Sequence, residues 1–110
     1  MKVSYRQSAR DDVIRQFRYY LVTMAAPEAA TRFRAAVKLT VESLRQHPLI
    51  APLYPLGNPR LQGLRSWPVA GFEAVRVYYL SDLEQGFLRI VRILHEKRDV
   101  RRLLERDQDL

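Results

Sequence analysis

Two apolar helical stripes, parted by Ala25-Ala26-Pro27, restrict this chain more than any other feature. Val13, Ile14, Phe17, Tyr20, Leu21 and Met24 recur at helical spacing and predict the inward face of a first helix. Ser8 suits its N-cap, with Asp11 three residues on in a capping-box arrangement. Arg10, Arg15 and Arg18 fall off the stripe and are expected in solvent. Pro27 fits the first position of a second helix, where its missing N–H costs nothing. Glu28 then sits in the first turn, where the helix dipole favours an acid. Ala30, Phe33, Val37, Val41 and Leu44 make the second stripe, and Pro48 stops it after His47, read as a C-terminal cap residue. So short a connection implies an antiparallel helical hairpin. Both stripes read as core, with no cofactor box in them.

The rest of the chain supplies a sheet. Lys2 to Arg6 alternates, with Val3 and Tyr5 on one face. Residues 47–61 hold Pro48, Pro52, Pro55, Pro59 and Gly57, and form one long irregular loop. Its apolar residues, Leu49, Ile50, Leu53, Tyr54 and Leu56, are expected to pack down onto the domain. Leu61 to Val69 reads as a second strand, with Pro68 near its end or at an edge. Glu73 to Leu80 is apolar on both faces and so central. Phe87 to Leu94 follows a short turn and must run antiparallel to it. Asp99 to Leu104 predicts a short helix, and Glu105 to Leu110 a charged, frayed tail. The expected fold is α+β: an N-terminal strand, a helical hairpin packed on an antiparallel sheet of three further strands, and a short C-terminal helix.

A chain of 110 residues with no cysteine suits one domain without disulfides or thiolate metal sites. No apolar run approaches membrane-spanning length, so a soluble, cytoplasmic protein with no membrane partner is expected. The net charge is +7, and 16 of the 19 basic residues are arginine. Arginine's planar fork suits phosphate or carboxylate, hence nucleic acid or an acidic protein. The excess lies in residues 1–59, with nine basic and four acidic residues, against ten and eight in residues 60–110.

Charge and apolar strand meet in residues 89–99. Ile90, Val91, Ile93 and Leu94 suit a buried pleated surface, yet Arg89, Arg92 and Arg98 flank His95 there. The run Ile93-Leu94-His95-Glu96-Lys97-Arg98-Asp99-Val100, preceded by Leu64-Arg65-Ser66-Trp67-Pro68-Val69 and Gly71-Phe72-Glu73, resembles the RelE/ParE superfamily of bacterial type II toxins. It is most similar to the ParE branch, whose last strand reads roughly R-I-L-H-x-x-R-D. The resemblance covers nearly the whole chain in the expected order, and implies the same layout of elements.

The resemblance implies two competing activities. A ParE-like toxin binds DNA gyrase and traps it on cleaved DNA, without enzymatic chemistry. His95 and Asp99 would then fix the turn into the last helix, with Asp99 holding the imidazole and Arg98 pairing with an acid. The basic hairpin would be the contact surface. A RelE-like toxin is a metal-independent endoribonuclease that cuts mRNA on the ribosome. It needs an acid, a base and cations on the phosphate, for which His95, Arg65 and Arg92 are the candidates. Strict alternation puts Arg92 opposite His95 across the sheet unless a bulge intervenes. No second base is evident beyond Glu73, so the gyrase reading is preferred. A degraded toxin that only binds its antitoxin is a third reading. The binding residues expected are Arg10, Arg15, Arg18, Arg65, Arg92, His95 and Arg98. No cofactor or metal is called for. All three readings imply a cognate antitoxin, ParD-like, whose acidic tail folds along this domain.

Overall fold

The computed structural model describes residues 1–108. In chain order it contains β1 (Lys2–Tyr5), α1 (Gln7–Arg18), α2 (Pro27–Gln46), β2 (Arg65–Val69), β3 (Phe72–Asp82), β4 (Phe87–His95) and α3 (Val100–Glu105). The four strands make one sheet in the order β1-β4-β3-β2. β2 and β4 flank β3 antiparallel, and β1 joins β4 in parallel. This is the expected α+β layout, with a mixed sheet because the hairpin carries the chain back across one sheet face before β2 begins.

α2 behaves as its stripe predicts: Ala30, Phe33, Val37, Val41 and Leu44 are all buried. They pack with Val75, Val77, Tyr79, Ile90 and Ile93 from one face of the sheet. Tyr20, Phe33 and Phe72 close that core with ring centroids 5.4–5.5 Å apart. The opposite face packs Val91, Leu94 and Tyr78 against Leu61, Leu64 and Leu104. α3 is capped by Asp99, whose carboxylate accepts the Arg102 N–H. Its far end is held by Asn58, which donates to the Leu104 and Asp107 carbonyls at 2.9 and 2.8 Å. Arg6, buried at the end of β1, pairs with the Asp107 carboxylate. Residues 109 and 110 of the predicted tail lie outside the described residues.

α1 departs from expectation. It begins at Gln7 with Arg6 at the N-cap and no side-chain cap. Ser8 instead reaches the Val91 carbonyl at 3.4 Å, and Asp11 accepts from Gln7. The buried α1 residues are Ala9 and Asp12, whereas Ile14, Leu21 and Met24 are 48%, 40% and 55% exposed. The stripe was wider than the face α1 buries. Past Arg18 the helix widens into a π-helix, Tyr19–Thr23, and reverses at Ala25, which adopts φ of 50°. That turn rotates the last apolar residues outward.

The loop after α2 is only partly packed. Ala51, Asn58 and Leu61 are buried, but Leu49, Ile50 and Leu53 stay about half exposed or more. β2 starts four residues later than expected, because Pro59–Leu61 forms a 3-10 turn under Asn58.

β4 explains its own non-alternating sequence. Tyr78 faces Arg92 while Tyr79 faces Ile90, so Val91 is an extra residue, a β-bulge. The bulge puts Ile90 and Ile93 on the helix side, and Val91 and Leu94 on the other.

Candidate functional site

β1 pairs only with the first half of β4, up to Ile90. Past that point α1 lies along the open edge. Ser8 and Asp12, one helical turn apart, take the places of a missing strand. Asp12 Oδ2 accepts the Ile93 N–H at 2.9 Å. The same carboxylate accepts Arg92 Nε at 2.7 Å and a second guanidinium nitrogen at 2.8 Å. This bidentate fork is charge-assisted and directional. It pushes the Arg92 guanidinium further up, with burial opposing. Arg15 adds a looser contact to Asp12 at 3.2 Å, its own side chain mostly exposed.

Fixing α1 by Asp12 leaves its other side facing α2 across a cleft of about 700 Å³. Val13, Ile14, Phe17 and Leu21 of α1, Val37 of α2 and Tyr5 of β1 give it an apolar lining. Arg10 and Arg18 from α1, and Arg34 and Lys38 from α2, complete the lining, and none of its residues is acidic. Burial pushes the Tyr5 phenol up, against the pull of Arg10 nearby. An apolar cleft edged by four cations is shaped for an amphipathic acidic segment. Its size matches ordinary ligand clefts, but its charge and openness suit a chain better than a small molecule.

The residues singled out in the sequence fall into separate places. Arg10 and Arg18 line the cleft, and Arg15 leans on Asp12. Arg65 donates to the Ala51 carbonyl at 2.6 Å and holds the long loop against β2. Arg92 is committed to Asp12. His95 Nδ1 accepts the Lys97 N–H at 3.1 Å, closing the turn that leads to α3. Asp99 does not hold the imidazole, since its carboxylate caps α3. Arg98 is exposed, and its backbone N–H reaches the His95 carbonyl at 3.0 Å. The bulge precedes Arg92, so Arg92 opposite Tyr78 and His95 opposite Val75 remain on different faces. Arg65, Arg92 and His95 therefore share no pocket among those formed by the described residues.

Sequence reasoning missed Asp12, Tyr5, Arg34 and Lys38. The signal for the last two was present: they follow Phe33 and Val37 by one position, so they border the buried stripe on one side. Asp12 gave no signal, because its partners come from residues 80 or more positions away. Among the described residues no group of His, Asp and Glu side chains gathers as a metal site, and no helix is long and apolar enough to cross a membrane.

The family model of the ParE toxin of the type II toxin-antitoxin system parDE matches residues 3–100. A solved structure, described as a chromosomal ParDE TA system from P. aeruginosa, superposes with a TM-score of 0.68 at 19% identity, covering 86% of this chain and 95% of that one. At that identity the likeness speaks to fold. No curated protein sequence matches significantly.

Proposed function

The chain belongs to the family of ParE toxins of type II toxin-antitoxin systems, and from that premise we propose that it arrests growth by binding DNA gyrase and trapping it on cleaved DNA. A cognate ParD-like antitoxin neutralises it in the cytoplasm by laying an acidic, apolar-striped tail into the cleft between α1 and α2. The observation that carries this reading is the cleft itself, with apolar walls, the cations Arg10, Arg18, Arg34 and Lys38, and no acid. A tail that folds on binding recovers its ordering cost through apolar burial, and charge sets its orientation and speeds its capture.

The disposition of Arg65, Arg92 and His95 supports binding over catalysis. Each has a structural partner of its own, the Ala51 carbonyl, the Asp12 carboxylate and the Lys97 N–H. A ribonuclease would need them turned toward one phosphate. Purified toxin mixed with gyrase and plasmid DNA tests the proposal. Cleaved complexes should accumulate, and equimolar antitoxin should suppress them. Ribosome-dependent cutting of mRNA with gyrase unaffected would overturn it in favour of the RelE-like activity.

A further inference from the structure

β1 stands at one end of the sheet, so one of its edges has no neighbouring strand. Its ladder runs from Lys2 opposite Phe87 to Tyr5 opposite Ile90. The two ends fix which groups that ladder uses. Lys2 N–H donates to the Gly86 carbonyl at 2.9 Å, and Arg6 N–H to the Ile90 carbonyl at 3.0 Å. Backbone groups alternate sides along a strand, so Ser4 faces β4 with them, and the N–H and C=O of Val3 and Tyr5 face outward. Among the described residues no loop or helix carbonyl takes either N–H. The side chains of Val3 and Tyr5 pack on the core, so the strand is anchored while its outer edge stays unpaired.

Tyr5 also lines the cleft between the helices. The cleft and the free edge therefore meet at one residue. A chain leaving the cleft on that side has the outer edge of β1 next to it. We propose that the acidic antitoxin tail that fills the cleft continues along β1 as an added strand, pairing its backbone with Val3 and Tyr5. This rests on the toxin–antitoxin reading above and specifies how its partner is held.

Charge and economy of contact both favour that occupant. The cationic lining of the cleft is continued at the edge by exposed Lys2. Main-chain pairing supplies affinity whatever the side chains are, and the cleft supplies selectivity. β1 has four residues, short enough to resist indiscriminate pairing on its own. A second copy of the chain would bring two +7 molecules together, which repulsion opposes.

Amide hydrogen exchange followed by NMR tests the inference, with the toxin alone and then saturated with its cognate antitoxin. In the free toxin the Ser4 and Arg6 amides should exchange slowly, and the Val3 and Tyr5 amides quickly. In the complex Val3 and Tyr5 should slow by about a hundredfold or more. A complex that perturbs Val13 and Val37 but leaves Val3 and Tyr5 exchanging as before overturns the added strand while sparing the cleft. Protection of Val3 and Tyr5 in free toxin that grows with concentration overturns it in favour of self-pairing. Failure of the antitoxin to bind removes the toxin–antitoxin reading and this inference with it. As a second arm, Val3→Pro deletes one outward donor and leaves the inward ladder whole, so affinity should fall about tenfold. Val3→Thr, which keeps the N–H, should bind as the parent does. Equal binding by a folded Val3→Pro protein would count against the added strand.

Discussion

The carboxylate of Asp12 on α1 accepts the backbone N–H of Ile93 on β4 at 2.9 Å, so a helix side chain completes the sheet edge where β1 runs out. The bulge at Val91 re-aims the strand at that point, and Arg92 folds over the same carboxylate. The consequence reaches the cleft. Asp12 sets how α1 is rotated, and that rotation decides which apolar residues are buried and which face a partner.

Asp12 is 3% exposed, so its loss strands a buried guanidinium and a strand N–H together. Asp12→Ala should destabilise the fold by about 3–5 kcal/mol, the cost of removing one partner of a buried pair. Arg92→Ala should cost less, because Asp12 keeps the Ile93 N–H and the Arg15 contact. Urea unfolding of both variants measures the order. An Arg92→Ala protein weaker than Asp12→Ala would show that the guanidinium, and not the strand edge, is what the carboxylate serves.

Phe33 and Leu21 separate core from contact surface. Phe33 is fully buried, and Phe33→Ala should lose about 3–5 kcal/mol. Leu21 is 40% exposed on the cleft, and Leu21→Ala should cost under about 1 kcal/mol while loosening the antitoxin. Melting curves paired with binding isotherms check both. Similar losses of stability at the two sites would mean that the cleft closes in solution.

Three tyrosines give the fold an alkaline limit. Burial pushes the phenols of Tyr5, Tyr78 and Tyr79 above their ordinary value of 10.0. The folded state thus holds these protons more tightly than the unfolded chain. Their contribution is fully present below pH 10.0 and is lost as pH rises through the higher folded values. Tyr79 is wholly buried and donates to the Pro48 carbonyl at 2.8 Å. Melting temperature should fall with pH above that point, and tyrosinate absorbance should appear with unfolding. Tyr79→Phe should flatten the fall while lowering stability at neutral pH.

Much of this fold was legible because its signals are local. The α2 stripe, Pro27 at the helix start, Pro48 at its stop and the doubly apolar β3 each act within a few residues, and each reads correctly. α1 misled because periodicity reports apolar residues without saying which partner covers them. Ile14 and Leu21 look like core and sit in an open cleft. The Val91 bulge was written in the i, i+3 spacing of Ile90 and Ile93, a pattern that strict alternation forbids. Asp12 could not be read at all, since an acid beside Asp11 on a helix ordinarily means solvent. Its burial depends on where β1 ends, which is a property of the assembled sheet.

His95 offers the sharpest test of activity. Its Nδ1 already accepts the Lys97 N–H, so this nitrogen is spent on the turn into α3. A general base or acid acting there would need Nε2 and a cation nearby, yet Arg92 lies on the other face, bound to Asp12. His95→Gln keeps an acceptor able to reach the Lys97 N–H. It should cost about 0.5–1.5 kcal/mol, the net worth of one hydrogen bond, and leave growth arrest largely intact. A catalytic His95 would instead lose ~10²–10⁴-fold of its rate on the same change. Growth assays with the variant should be run beside melting curves and antitoxin binding. A His95→Gln protein that folds, binds antitoxin and no longer harms cells would mean that the imidazole meets the target directly.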